Sequence, residues 1–138
     1  MRLRSIGRVL PLVLAGTMPV AAFAQTPTPQ ADPAAVVDRF LRTFRGGHHD
    51  RLGALITDRV ATGDGESLRR DQIILLHRGY TEAMFGPLRS YSCEPPIAAA
   101  TVCTLRFRSS RLRQRYTVAA GLISGIEILP MDDSAPGR

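Results

Sequence analysis

Hydrophobic side chains recur every three or four positions in the first part of the chain, a spacing typical of amphipathic helices. Asp32-Pro33 is a helix start, because aspartate caps a helix and proline fits its first turn. Apolar side chains then share one face as far as Gly46-Gly47, with charged side chains on the other: the apolar ones are Val36, Val37, Phe40, Leu41 and Phe44. The pattern predicts a first helix between these two boundaries.

Two further helices are predicted before the pattern changes. A short one spans about Asp50–Thr57, and a turn follows at Thr62–Gly65. Ser67 is then placed as the cap of a third helix, which runs to about Phe85 and ends at a Gly-Pro pair. The run Ile73–Leu76 is apolar on more than one face, so we expect this helix to lie between other elements.

From Leu88 onward the period switches to two, which is typical of strands. Four strands are predicted, at Leu88–Glu94, Ala100–Arg108, Leu112–Ala120 and Ile123–Leu129. Helices followed by an antiparallel meander predict an α+β domain, with the helices packed on one face of a sheet of about four strands.

The first 24 residues have the pattern of a secretory signal peptide. Three arginines precede an uncharged run of 16 residues from Val9 to Ala24, and Ala22-Phe23-Ala24 has the small residues that signal peptidase recognises. A membrane-spanning helix needs about 20 apolar residues, and this shorter run contains two prolines. We therefore predict a cleaved signal rather than an anchor, and a protein that acts in the periplasm or outside the cell.

The predicted organisation is a signal peptide at 1–24, a disordered Pro-rich linker at 25–31, one domain at 32–130 and a disordered tail at 131–138. Removing the signal leaves 114 of the 138 residues, enough for one small domain. Three of the 18 basic residues leave with it, so 15 face 12 acids and the net charge falls from +6 to about +3.

Every basic residue of the chain is an arginine, and the absence of lysine excludes several chemistries. It excludes Schiff-base catalysis, a P-loop lysine and the Ser-x-x-Lys nucleophile pair. His-Glu-x-x-His, Cys-x-x-Cys and Gly-x-Ser-x-Gly motifs do not occur either. We predict no cofactor.

Cys93 and Cys103 are the only cysteines and fall on consecutive predicted strands. If they are direct cross-strand partners, the hairpin centres on Ala98 and the two Cα atoms lie within about 4.5–5.5 Å, close enough for a disulfide. Closing the loop would stabilise the fold by roughly 2.5–3 kcal/mol. A reactive thiol or a metal ligand is the alternative, which an oxidising compartment disfavours.

Five arginines crowd the predicted meander: Arg106, Arg108, Arg111, Arg113 and Arg115. An even-length turn near Ser109-Ser110 puts all five on the face away from the helices, whereas an odd-length turn would place arginines beside Phe107 in the core. Like charges directly across strands repel. The face is therefore solvated and neutralised by nearby acids, binds an anionic envelope component, or makes a dimer contact. Nucleic acid is not expected, because the chain is exported and the face lacks interleaved aromatic residues.

The histidines give two candidate sites. His48-His49-Asp50 could contribute to a metal site, but no fourth ligand is near in sequence, so we interpret this segment as an exposed loop and predict no metal. His77 and Tyr80 lie three apart on the third predicted helix and could act as a general base and a phenol donor. The alternative for His77 is a histidine packed in the core.

Two short motifs resemble an uncharacterised bacterial family of NTF2-like domains, found as small exported proteins or ahead of serine-hydrolase, β-lactamase-like domains. Phe85-Gly86-Pro87-Leu88 leads into the sheet, and residues 120–126 (AGLISGI) form a late turn and strand. The usual family forms are close to "fGplks" and "dGkIsGi", although Ala120 replaces the usual acid. The resemblance covers roughly residues 33–129. It implies a cone with an apolar pocket between helices and sheet, often a homodimer through the sheet, and no catalytic residues.

Other NTF2-like proteins are ketosteroid-isomerase or polyketide-cyclase-like enzymes, which place Asp, Tyr or His in the pocket. The predicted inward residues of this sheet are mostly apolar: Leu105, Phe107, Leu112, Tyr116, Val118, Ile126 and Ile128. That favours a non-catalytic module binding a small apolar ligand or an envelope component. The alternative is a small pocket enzyme that uses His77 and Tyr80.

Overall fold

The computed structural model describes residues 32–131. The predicted signal peptide, the linker and nearly all of the tail lie outside the described residues. Helix α1 spans Pro33–Arg45, a 3₁₀ segment spans His49–Leu55, and helix α2 spans Arg70–Gly79 and continues as a π-helical turn at Tyr80–Met84. The strands are β1 Ile56–Gly63, β2 Glu66–Arg69, β3 Leu88–Cys93, β4 Ala100–Phe107, β5 Arg111–Ala119 and β6 Leu122–Leu129.

Helix α1 confirms the first predicted helix. The Asp32 carboxylate accepts a hydrogen bond of 3.1 Å from the Ala34 backbone N–H, and Pro33 occupies the first turn. The helix ends at Gly46, and Gly47 follows with φ of 79°, a conformation that glycine adopts without strain. The five predicted apolar side chains, from Val36 to Phe44, are all buried and form the centre of the core.

The chain between Ile56 and Arg69 corrects the prediction for this region. It forms the β1–β2 hairpin, so the predicted short helix is a 3₁₀ segment that ends before Ile56, and Ser67 lies in β2 rather than capping a helix. The two-residue loop Asp64-Gly65 has positive φ at both positions, the geometry that an Asp-Gly hairpin turn favours. Helix α2 starts instead at Arg70.

A local reason explains the error at β1. Its buried side chains are Ile56 and Val60, which are four residues apart, a spacing that fits a helix as well as a strand. The strand forms by pairing with β6 in parallel, more than sixty residues along the chain, where Ile56 lies opposite Ile123. Pairing at that distance leaves no periodic trace in the local sequence.

The sheet has six strands in the order β2-β1-β6-β5-β4-β3. The α+β class is confirmed, but the sheet is mixed and larger than the predicted four-stranded one because the β1–β2 hairpin extends it. The four predicted strands correspond to β3–β6, each within about one residue of its expected ends. Helix α1 packs across β3–β6, while α2 lies against β1, β2 and the 3₁₀ segment.

The face of the sheet that meets the helices is the expected one, with one exception. Leu105, Tyr116 and Ile126 are buried, as the alternation predicts. Ile128 is 54% exposed, although it was expected to point inward, because it lies one residue from the end of β6. On α2, Leu75 is 67% exposed, so this helix is not covered on both sides as its apolar run predicted.

Cys93 and Cys103 are register partners at the end of the β3–β4 hairpin and are joined by a disulfide, with their Cα atoms 4.0 Å apart. The hairpin turns at Ala98, which has φ of 55°, between the bridged residues Ile97 and Ala100. The Cys103 side chain is fully buried in the core, so the bridge fixes the turn end of the edge strand β3 to β4.

Reduction of this disulfide is expected to lower the free energy of unfolding by roughly 2.5–3 kcal/mol, because it frees an 11-residue loop in the unfolded chain. Urea titration of the oxidised and reduced protein would measure the difference. The reduced protein keeps both cysteine side chains, so the difference measures the contribution of the cross-link and does not include the burial of Cys103. A Cys93→Ala variant, which changes an exposed side chain, should match the reduced protein. Equal stability of the oxidised and reduced forms would contradict the prediction.

Candidate functional site

The candidate catalytic residues lie in the interior of the domain, between the helices and the sheet. His77 comes from the last turn of α2 and Tyr80 from the start of the π-helical turn, and their ring centroids are 5.2 Å apart. The π-helical turn is closed by the Phe85 N–H, which donates to the Tyr80 carbonyl at 2.7 Å. Such turns are frequent at functional sites. The adjacent rings show that the structure brings His77 and Tyr80 together.

His77 is packed among aromatic rings. Phe40 and Phe44 of α1 meet its imidazole edge to face, with centroids 5.4 and 5.1 Å away. Its side chain is 0% exposed. Nδ1 lies 2.9 Å from the Ile73 carbonyl, which can only accept, so Nδ1 carries the proton and Nε2 carries the free electron pair.

Burial sets the proton affinities of both candidate residues. It lowers the pKa of His77 to about 4, because the charged imidazolium is disfavoured away from water. It also raises the pKa of the Tyr80 phenol. At neutral pH both groups are therefore uncharged. An efficient general base has a pKa near the working pH, and the pKa of His77 lies well below 7.

The sheet contributes three polar side chains to the same interior: Thr101 on β4 and Gln114 and Tyr116 on β5. Each is at most 1% exposed. The Tyr116 hydroxyl donates to the Gln114 side-chain carbonyl. The alternation of β5 places Gln114 on the inner face, but the sequence interpretation gives it no role. Its position between Leu112 and Tyr116 is the signal that could have identified it.

Several of these interior groups have no hydrogen-bonding partner within residues 32–131. They are His77 Nε2, Tyr80 Oη, Thr101 Oγ1 and Gln114 Nε2. A buried polar atom without a partner costs about 1–3 kcal/mol. The inner face of the sheet is therefore more polar than the sequence predicts, and the interior holds both an imidazole acceptor and donor groups.

The other histidine cluster separates in the structure. His48 is exposed, whereas His49 is buried, with its ring 5.7 Å from that of Phe44 and its Nε2 3.3 Å from Thr81 Oγ1. Burial lowers the pKa of His49. Among the described residues no group of three His, Cys, Asp or Glu side chains is arranged to hold a metal ion.

The predicted arginine face lies on the outer side of β4 and β5. Phe107 and Ser110 face each other across the hairpin, so its turn consists of the two residues Arg108 and Ser109. This is the even length that the face requires. Arg106 and Arg111 are direct cross-strand partners, and Arg113 and Arg115 follow on the same face of β5. Arg108 lies in the turn itself, where its aliphatic carbons are the nearest atoms to Gly86.

Acidic neighbours neutralise two of these arginines. Arg113 pairs with Glu94 at 3.2 Å, and Arg115 pairs with Glu127 at 2.7 Å. Arg106 and Arg111 are both exposed and form no ion pair with any residue of 32–131. The expectation that acids relieve the repulsion therefore holds for one half of the face only.

Comparison with known proteins shows an NTF2-like fold. The chain matches the structure of a candidate ketosteroid isomerase from Kribbella flavida at 16% identity, with a TM-score of 0.52 over 78% of this chain and 84% of that one. A candidate polyketide cyclase from Pseudomonas putida matches at 9% identity and a TM-score of 0.54, over 73% and 92%. An NTF2-like protein of unknown function from Cytophaga hutchinsonii matches at 7% identity and 0.51, over 75% and 93%.

These matches show the fold alone. No family profile matches the sequence, and no curated protein matches it either. Within the described part of the chain, no helix is both long and apolar enough to cross a membrane.

Proposed function

We propose that this protein is a non-catalytic binding module that acts outside the cytoplasm and binds through the surface of its domain. The observation that carries the proposal is the filled interior. His77 and Tyr80 are 0% and 3% exposed and are surrounded by Phe40, Phe44 and Phe107. A general base must come within hydrogen-bonding distance of the proton that it removes, and a substrate has no open path to His77.

The disulfide is consistent with the export part of the proposal. Such bonds persist in oxidising compartments and are rare in the cytosol. The bridge joins an exposed cysteine to a buried one on adjacent strands, so it acts as a structural cross-link. Together with the predicted signal peptide, it supports a protein that folds and works in the periplasm or outside the cell.

One observation favours a second candidate function, a pocket enzyme of the kind named in two of the fold relatives. The free electron pair of His77 Nε2 and the hydroxyl of Tyr80 are both unpartnered within the described residues and belong to adjacent rings. If the aromatic cluster opened, these two groups could act as a base and a proton donor. The two functions differ in one measurable property, the accessibility of His77.

Acylation of histidine by diethyl pyrocarbonate measures that accessibility. We expect His48 to react readily and His77 to react at least roughly tenfold more slowly, because reaching His77 requires a local opening that costs free energy. The reagent attacks neutral imidazole, and His77 is neutral at pH 7, so slow reaction reports burial. Trypsin cleavage after arginine places His77 in peptide 71–78 and both His48 and His49 in peptide 46–51, where fragmentation in the mass spectrometer distinguishes the two histidines.

The protein in concentrated urea provides the control, since both histidines should then react alike. Comparable rates for His48 and His77 in the folded protein would contradict the non-catalytic proposal. They would favour the pocket enzyme instead.

A further inference from the structure

Within residues 32–131, two arginines of the outer sheet face have no acidic neighbour like those of Arg113 and Arg115. Arg106 on β4 and Arg111 on β5 lie directly opposite each other. In an antiparallel pair, directly opposed residues have Cβ atoms about 4.5–5.5 Å apart, so both guanidinium groups can reach one point. Like charges in this arrangement are destabilising. An anion between them would remove the repulsion and gain charge-assisted hydrogen bonds.

The two arginines also line an open cleft of about 650 Å³ at the end of the hairpin. Phe107, Ser110 and Met131 complete its lining. The backbone is fixed there, because the Phe107 N–H donates to the Ser110 carbonyl at 2.8 Å and the Ser109 N–H donates to the Phe85 carbonyl at 3.0 Å. The two arginines therefore project from a rigid turn, and binding an anion does not require the backbone to become ordered.

We propose that Arg106 and Arg111 form a binding site for a phosphoryl group, as in a phosphomonoester or inorganic phosphate. A carboxylate has two oxygens and is satisfied by a single arginine fork, whereas a phosphoryl group presents three terminal oxygens and can accept from two forks at once. Met131 gives the cleft an apolar wall for the organic part of an ester. This inference rests on the proposed function, since it assigns the surface and ligand class of the binding module.

Titration of the protein with inorganic phosphate in a low-chloride buffer tests the site. Backbone amide NMR signals of residues 106–111 should shift and saturate. Arg106→Gln and Arg111→Gln should each weaken binding roughly tenfold, because each removes charge-assisted hydrogen bonds. A matched control removes an ion pair from the same face without changing the net charge: the double variant Arg113→Gln, Glu94→Gln should bind within about twofold of the original protein.

Vesicles distinguish the two sources of a phosphoryl group. Phosphatidylcholine vesicles containing phosphatidic acid carry a phosphomonoester, and pure phosphatidylcholine vesicles do not. Arg106-dependent binding to the first only would assign the site to a lipid headgroup. Binding of free phosphate without vesicle binding would assign it to soluble phosphates.

The inference is overturned if the original protein shows no saturable shifts on titration with phosphate. It is also overturned if Arg106→Gln and Arg111→Gln bind like the control. Either result would leave the slow acylation of His77 untouched, so failure of this inference is distinguishable from failure of the proposed function.

Discussion

Replacing Phe44 with alanine is expected to lower the free energy of unfolding by roughly 3–5 kcal/mol, the range typical of a fully buried phenylalanine. Phe44 is 1% exposed, and its ring meets those of His49, His77 and Phe107 at centroid distances of 5.7, 5.1 and 6.1 Å. It therefore joins α1 to the 3₁₀ segment, to α2 and to β4. Removing the ring leaves a cavity at the point where all four elements meet. Chemical denaturation of the variant measures the loss.

Phe85→Ala is the matched control for this change. Phe85 is half-buried at the rim of the same cluster, where its ring stacks 5.7 Å from Tyr80. Because less of its surface is removed from water, we expect less than half the effect of Phe44→Ala. Similar losses for the two variants would show that Phe44 is not the centre of the core.

Phe44→Ala also tests why the interior is closed. An apolar cavity of phenyl size stays dry and can bind a small aromatic molecule. In the variant, benzene or indole should raise the melting temperature, and His77 should be acylated faster than in the original protein. The filled interior would then be a consequence of a few large side chains.

The parts of the fold that the sequence predicts well are those whose signals are local. Helix α1 has a cap, a terminal glycine pair and a five-residue apolar face, all of which fall within sixteen residues. The strands β3–β6 alternate, and the register of β4 against β5 follows from the even spacing around Ser109. The hairpin β1–β2 depends on the distant strand β6, although the Asp64-Gly65 turn was a local indication of it.

In the candidate site, too, the features with local sequence signals could be predicted and those that depend on distant segments could not. The alternation of β4 and β5 is enough to place Arg106 and Arg111 opposite each other and on the outer face. That they lack acidic partners within residues 32–131 could not be predicted, because Glu127 reaches Arg115 from β6 and Glu94, which directly follows β3, reaches Arg113. Likewise, the burial of His77 depends on rings from α1, a separate helix that the local pattern around His77 does not describe.

The burial of His77 makes the free energy of unfolding depend on pH. The folded protein holds the pKa of His77 at about 4, whereas the reference value for an unfolded chain is 6.5. Because the folded pKa is the lower one, the unfolded chain takes up a proton that the folded protein does not as the pH falls below 6.5. The stabilisation is present above that pH and is lost between 6.5 and 4.

We expect the free energy of unfolding to fall by about 3 kcal/mol across this window on account of His77, since one pKa unit corresponds to about 1.4 kcal/mol. Urea titrations at several pH values between 4 and 7 measure the slope. His77→Leu should flatten it by about one proton. His49, whose pKa burial also lowers, adds to the slope, so His49→Gln serves to separate its share. A slope that His77→Leu does not alter would mean that His77 can be protonated in the folded state. The imidazole would then be in contact with water, and the interior would be open to a substrate.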